Sequence, residues 1–178
     1  MLDPMTLKNL RREAIAIDVR PMLAEVERGA SAWAPLRLTP EPPGAAANSY
    51  EGTIASDRPR VEVIEIAGSS AGTQAPGFSK TLAVLSVFAE KCGEAIRAAR
   101  LVRVVVGATI VDEPALTEPL KQCKRGFFAL DGRDGIVLST RDESVTIQQG
   151  EVWFKESDVD GCVKNDGRDP AIYCEFWV

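Results

Sequence analysis

The chain has 178 residues, of which 45% are apolar and 26% are charged, and its formal net charge is −5. This composition predicts one globular domain and argues against a nucleic-acid partner, because no broad basic surface is available to replace phosphate counterions. The sequence contains no histidine, which excludes Ser-His-Asp triads, Cys-His dyads and metal sites built on imidazole groups.

The spacing of the cysteines also excludes some types of metal and redox site. They stand at positions 92, 123, 162 and 174, too far apart for a zinc ribbon or a Cys-x-x-Cys redox pair. The first residues lack the apolar core of a signal peptide, and no apolar run is long enough to span a membrane. We therefore expect a cytoplasmic protein with reduced thiols and no membrane partner.

The N-terminal part of the chain predicts a strand, a helix and a long loop. Residues 14–17 form an apolar run typical of an edge strand. Asp18 is a candidate N-cap, and apolar side chains then recur at helical spacing until Gly29. Residues 34–60 are rich in proline, glycine, alanine and serine, which predicts a loop or a lid over a site.

The pattern then changes from helix to sheet. Residues 60–67 alternate as in a strand, and apolar residues three or four apart predict an amphipathic helix over 79–100. The predicted strands after it are 101–106, 109–111, 126–130, 135–140, 144–148, 152–155, 162–164 and 171–178. We therefore expect a single domain over 1–178, with a strand and helix in 1–33, the loop or lid, a packing helix in 79–100 and a β core in 101–178.

Several short motifs occur in a recognisable order. They comprise Gly107 and Ile110, then Arg125 and Leu130, then Gly150, Glu151, Trp153 and Phe154, and finally Val163, Asn165 and Gly167. In order and spacing they resemble the aspartyl/asparaginyl β-hydroxylases, which are iron(II)- and 2-oxoglutarate-dependent oxygenases. The resemblance implies a mainly β, α+β fold, in which N-terminal helices pack on a cupin-like jelly-roll barrel, the double-stranded β-helix.

The residues that carry the chemistry of that family are replaced. Glu113 and Gly161 stand where its two iron-binding histidines are expected, and Ala115 stands at the acidic ligand. Ala171 replaces the arginine that binds 2-oxoglutarate, and Phe127 replaces a further histidine. Because a facial triad needs two imidazoles and a carboxylate, the resemblance implies a degenerate member with no metal and no cofactor.

The former metal pocket supplies the candidate site. Its predicted catalytic residues are Glu113 and Cys162, and its predicted substrate-binding residues are Asp112, Arg125, Phe127, Trp153 and Tyr173. Glu113 is a candidate general acid or base, because burial in an apolar barrel would raise the pKa of its carboxyl group. The alternative places Asp112 and Glu113 in a solvated loop.

The other candidates also have structural alternatives. Arg125 is able to bind a ligand carboxylate through its forked guanidinium, or to form a salt bridge with Asp131 or Asp134. Cys162 is a nucleophile only if a nearby cation lowers its pKa, and is otherwise an inert buried thiol. Aromatic residues such as Trp153 commonly pack in a core. Gly167 is expected to supply a positive φ in a turn.

Three functions remain open. The first is a non-iron β-helix protein that binds a small organic or peptide ligand in the former active-site cavity, or an enzyme that catalyses a redox-neutral isomerisation, cyclisation or elimination there. The second is a non-catalytic interaction or regulatory protein with a barrel filled by Phe127, Phe128 and Trp153. The third is an atypical oxygenase. A homo-oligomer is compatible with all three, and an open cavity would favour the first.

Overall fold

The structure, a computed structural model, describes residues 5–29, 32–35, 61–67, 77–111, 120, 123–131, 135–156 and 159–178. These residues form twelve strands and two helices, and the following bounds define them. The elements before the predicted β core are β1 (Met5–Thr6), β2 (Leu10–Ala16), α1 (Arg20–Arg28), β3 (Ala34–Pro35), β4 (Val61–Ala67) and α2 (Ser79–Lys91). The remaining elements are β5 (Ala98–Val104), β6 (Thr109–Val111), β7 (Arg125–Asp131), β8 (Ile136–Thr140), β9 (Ser144–Thr146), β10 (Glu151–Lys155), β11 (Gly161–Asn165) and β12 (Ala171–Trp177).

The strands form two sheets with antiparallel neighbours. The large sheet has the order β1-β2-β10-β7-β12-β5-β4-β3, and the small sheet has the order β6-β11-β8-β9. From β5 onward the chain passes repeatedly between the two sheets, and β12 lies between β7 and β5 at the centre of the large one. The prediction of a mainly β protein with antiparallel strands after residue 100 is therefore confirmed.

Alternation along the strands separates two hydrophobic clusters on opposite faces of the large sheet. Phe127 belongs to the cluster between the two sheets, whereas Phe128 belongs to the cluster on the helix side. Trp153 and Phe154 divide in the same way. The expectation that Phe127 and Phe128 fill the same interior is wrong, because adjacent residues of a strand point to opposite faces.

Both helices contribute to the helix-side cluster, and their bounds differ from the prediction. The second helix, α2, ends at Lys91, and Gly93 follows it with a φ of 72° that favours glycine. Residues 98–100 belong instead to β5, which pairs with both β12 and β4. The predicted helix over 79–100 is thus too long. In the described part of the chain, no helix has the length and apolar character needed to cross a membrane.

A buried carboxylate joins the two helices. Glu25 of α1 accepts hydrogen bonds of 2.8 Å from the backbone N–H groups of Lys80 and Thr81 and from the Thr81 hydroxyl. The two backbone N–H groups lie in the first turn of α2, where N–H groups have no acceptor within the helix. The residue that precedes α2 makes no side-chain capping hydrogen bond. Burial alone would raise the pKa of Glu25, but these hydrogen bonds outweigh it, so the pKa lies below its ordinary value.

The turn between β11 and β12 is fixed by a buried amide. Asn165 donates from Nδ2 to the carbonyl oxygens of Val104 and Asp169, each at 2.9 Å, and its Oδ1 accepts from the N–H of Gly167. Gly167 does not have a positive φ, contrary to the expectation. It is needed instead for close approach, because a Cβ there would lie 3.0 Å from the Cα of Gly135.

We predict that Asn165→Asp destabilises the protein by about 2–3 kcal/mol or more, because a carboxylate would face two carbonyl oxygens and could not replace the amide hydrogen bonds that both accept. The control is Asp166→Asn, the reverse change at the neighbouring exposed residue, which removes only a surface ion pair with Lys164 and should shift stability by less than about 1 kcal/mol. Urea unfolding of both variants measures the difference. Equal effects would contradict the structural role of Asn165.

Candidate functional site

Three of the predicted substrate-binding residues line the space between the sheets. Phe127, Trp153 and Tyr173 are all buried there. Phe127 lies opposite Trp153 in the register of β7 and β10, and its ring centroid lies 6.4 Å from that of Tyr173. The structure therefore brings these residues together as an aromatic wall on the inner face of the large sheet.

A buried charged group borders this wall, and we refer to Arg100, Arg125, Glu175 and Trp177 as the arginine–glutamate cluster. Glu175 is fully buried on β12. Arg100 reaches it from β5, with 2.7 Å between Nε and Oε2, and Arg125 reaches its other oxygen from β7. Both guanidinium carbons lie 5.5 Å from the ring centroid of Trp177, within the range of cation–π attraction.

The two arginines keep Glu175 charged. Burial alone would raise the pKa of this carboxyl group, but the charges of Arg125 and Arg100 and their hydrogen bonds lower it below the ordinary value. Burial alone would likewise lower the pKa of Arg100, whereas the charge of Glu175 raises it. The cluster is therefore an ionised network inside the protein, where the cost of desolvation is met by paired charges.

Two further charged residues flank the cluster. Lys155 lies opposite Arg125 in the register of β10 and β7, is buried, and donates from Nζ to the carbonyl oxygens of Val159 and Glu156. On the other side, Glu65 of β4 lies opposite Arg100 and is exposed. A band of charged side chains thus crosses this end of the large sheet.

The structure gives Arg125 a partner that the sequence analysis did not consider. Its described ion pair is with Glu175, whereas the proposed partner Asp131 lies at the opposite end of β7. Asp134 lies outside the described residues. Alternation from Tyr173 on β12 would have predicted that Glu175 and Trp177 share its face, and this pattern is the signal that was missed.

The remaining predicted residues do not join this group. Cys162 pairs in register with Val111 and Ser139, and Val111 is exposed. Its neighbour Val163 enters the interior cluster, so Cys162 lies on the outer face of the small sheet. The structure does not bring Cys162 and Arg125 together. Asp112 and Glu113 lie outside the described residues.

The described side chains do not suit an iron site of the kind the resemblance would require. No group of three or more cysteine, aspartate or glutamate residues in the described ranges is arranged to hold a metal ion. Gly161 at the start of β11 has no donor side chain, and Phe127 supplies only a ring. Burial raises the pKa of the Cys92 and Cys174 thiols, so both are poor ligands and nucleophiles at neutral pH.

Two cavities formed by described residues lie on the helix side of the large sheet, away from the aromatic wall. One of about 300 Å³ lies between β2 and α2 and is lined mainly by apolar residues, among them Ile15, Val84 and Val87. The other, of about 260 Å³, is lined by charged residues and by Cys92. None of the predicted site residues lines either cavity.

Comparisons with known proteins support the fold assignment. No family model matches the sequence, and no curated protein matches it. A prolyl-4-hydroxylase from Pseudomonas putida has a similar structure, with a TM-score of 0.58 and 15% identity over 95% of this chain and 91% of that chain. An oxidoreductase of the 2OG-Fe(II) oxygenase family from Burkholderia pseudomallei has a TM-score of 0.51 at 16% identity.

The second match covers 66% of this chain and 65% of the Burkholderia protein, slightly less than two thirds of that protein's length. At these identities the two likenesses show a fold shared with these two proteins, without showing a shared activity. They agree with the mainly β, oxygenase-like fold that the motif resemblance implied.

We predict that Glu175→Gln costs about 3–5 kcal/mol of stability, because it leaves two buried guanidinium groups without their shared counter-charge. The matched control is Glu62→Gln. Glu62 also pairs with an arginine of β5, Arg103, but that pair is partly exposed, and its loss should cost about 0.2–1 kcal/mol. Urea unfolding measures both. A Glu175→Gln variant as stable as Glu62→Gln would contradict the network described above.

We also predict a loss of stability in acid. Glu25 and Glu175 both have folded pKa values below the ordinary 4.5, so their contribution is complete above the unfolded pKa and is lost as the pH falls through the folded values. The free energy of unfolding should therefore decrease as the pH falls from about 5 towards 3. Urea unfolding across this range checks the slope, and greater stability at the acid end would contradict it.

Proposed function

We propose that this chain is a double-stranded β-helix protein that binds a small organic or peptide ligand between its two sheets without iron or 2-oxoglutarate. The observation that carries the proposal is the arginine–glutamate cluster beside the aromatic wall of Phe127, Trp153 and Tyr173. An apolar wall with a few convergent polar groups is the usual lining of a small-molecule site. The repeated passage of the chain between two sheets supports the β-helix assignment.

Energetics favour a functional origin for the cluster. Buried ion pairs commonly contribute no more stability than apolar residues of similar volume would. Charged groups with perturbed pKa values are found disproportionately at functional sites. We therefore take this network, with its fully buried carboxylate on the central strand, as support for a ligand that uses it, in addition to its part in fixing the strand register.

If the chain is an enzyme, the proposed chemistry is redox-neutral. Glu113 would remove a proton from one atom of the ligand and return it at another, so that isomerisation, cyclisation or elimination needs no oxidant. Arg125, oriented by Glu175, would hold the polar end of the ligand. Cys162 has no part in this mechanism, because it lies on the outer face of the small sheet.

A second candidate function rests on the helix side. The cavity between β2 and α2 has an apolar lining, and Val87 at its border is 51% exposed. This surface favours the alternative of a non-catalytic interaction protein. In that case substitutions at Val87, rather than in the aromatic wall, would abolish the function.

We predict that iron(II), manganese(II) and 2-oxoglutarate do not act on this protein. Calorimetric titration with either metal should give no micromolar binding, because two histidine ligands and the acidic ligand of the related oxygenases are replaced. An assay with iron(II) and 2-oxoglutarate should release no succinate. Stoichiometric metal binding with succinate release would support the atypical oxygenase instead.

A thermal-shift screen with organic acids, amino acids and capped dipeptides tests ligand binding. For a compound that stabilises the wild type, we predict that Arg125→Lys lowers the binding affinity by about tenfold or more. Lysine cannot reproduce the forked contact of the guanidinium group. Glu113→Gln should leave affinity within a few-fold and abolish any turnover of that compound. Wild-type behaviour of both variants, or no stabilising compound, would contradict the proposal.

A further inference from the structure

The two cavities on the helix side of the large sheet adjoin one another, because Ile15 of β2 and Lys91 of α2 line both. We refer to the two together as the helix-side groove, with an apolar half of about 300 Å³ and a charged half of about 260 Å³. The groove lies on the opposite face of the large sheet from the aromatic wall. It is therefore a second site, independent of the one proposed between the sheets.

The apolar half has the shape and lining that suit an aliphatic chain. The residues of α2 that line it recur three or four positions apart and so form one stripe along the helix, comprising Ala83, Val84, Val87, Phe88 and Lys91. Two helical turns separate Val84 from Lys91, about 10 Å along the axis. An extended chain of about eight carbons has that length. Val87 is 51% exposed, so a ligand can reach the stripe from solvent.

The charges of the groove leave one cation without an ion pair. Each carboxylate in the lining pairs with a cation other than Lys91, and the pairs are Arg11–Glu13, Arg20–Asp18 and Lys124–Glu94. Lys91 is exposed and forms no ion pair within the described ranges. Since Lys91 lines both halves, its ammonium group lies where the apolar lining meets the charged lining. A chain laid along the apolar half can bring an anionic head group to it.

We propose that the helix-side groove binds a free fatty acid of about eight carbons, with its chain along the apolar half and its carboxylate at Lys91. Removal of methylene groups from water supplies the affinity. The ammonium group of Lys91 supplies the selectivity, because it attracts an anionic head group and repels a cationic one. A single lysine charge also matches a carboxylate, which carries one negative charge, better than a phosphate monoester.

Calorimetry with a series of simple amphiphiles tests the chemistry of the ligand. The probes are sodium octanoate, hexanoate and butanoate, with octanol, octylammonium chloride and octyl phosphate as head-group controls, at matched low ionic strength and below micelle formation. Octanoate should bind saturably, and each methylene removed should weaken binding by about fourfold. Octanol should bind about threefold or more weakly than octanoate, because it lacks the ionic contact, and octylammonium should bind more weakly still.

Two lysines of α2 provide a matched pair of variants for the head group. Lys91→Glu and Lys80→Glu change the net charge equally, and both positions are exposed, but Lys80 lines neither half of the groove. Lys91→Glu should weaken octanoate binding by about tenfold, since attraction becomes repulsion, and should make octylammonium the preferred ligand. Lys80→Glu should leave the preference for octanoate unchanged. Urea unfolding checks that both variants remain folded.

A second pair of variants tests the apolar half. Val87→Glu places a charge in the stripe, whereas Ser86→Glu places the same charge at the adjacent exposed position, which lines neither half. Val87→Glu should weaken octanoate binding by about tenfold or more, because the chain would lie against a charged group. Ser86→Glu should change it by less than about threefold.

Failure of this proposal is distinguishable from failure of the proposed function. If octanoate binding is weakened by Arg125→Lys but not by Lys91→Glu or Val87→Glu, the ligand lies between the sheets, and the proposed function stands without the groove. No saturable octanoate binding, or tighter binding of octanol or octyl phosphate, would overturn the fatty-acid assignment. Sedimentation with phosphatidylglycerol vesicles in the absence of octanoate binding would indicate a membrane surface instead. Octanoate binding that depends on Lys91 and Val87 supports the proposal whatever the outcome at Arg125.

Discussion

The pairing of Glu175 with two arginines is the constraint on which the described structure depends most. β12 lies between β7 and β5, and each neighbouring strand sends one guanidinium to the same carboxylate. A shift of either strand by one residue would move its arginine to the opposite face. The ion pairs therefore fix the register of three central strands, in addition to the backbone ladder.

That register determines what faces the interior. With Glu175 directed inward, Tyr173 two residues earlier and Trp177 two residues later lie on the same face. Phe127, opposite Glu175 in β7, then contacts Tyr173 beside the small sheet. The aromatic wall and the charged cluster are consequently parts of one arrangement, which is why the proposed ligand site includes both.

The local spacing of apolar residues and the turn sequences predicted much of the fold but less of the candidate site. Turn sequences and short apolar runs were sufficient to predict the strands after residue 100, because alternation is a local property. The predicted helix extended too far because Ile96 and Ala99 continue the helical spacing of α2. In the structure, residues 98–100 pair with β12 and β4 and are therefore a strand. The partnership of Arg125 with Glu175 joins residues 50 positions apart, and no local pattern specifies it.

The structure places Cys162 apart from the aromatic wall for a related reason. Its position in the sequence, next to Gly161, which the motif resemblance aligned with a metal ligand, suggested a place in the site. Adjacent residues of a strand nevertheless point to opposite faces, and Val163 is the neighbour that is buried in the interior. Strand alternation, applied to β11 with Val163 as the core residue, would have corrected this assignment before the structure was known.

The most direct test of this account is the titration of the Glu175 carboxyl group itself. In protein labelled with ¹³C in the glutamate side-chain carboxyls, the Glu175 resonance is identified by its absence from the Glu175→Gln variant and followed as the pH is lowered. If two arginines hold a buried carboxylate in its charged form, the resonance remains that of an ionised group to pH values below the ordinary 4.5. A midpoint at or above 4.5 would mean that desolvation outweighs the arginines, and would contradict the ionised network.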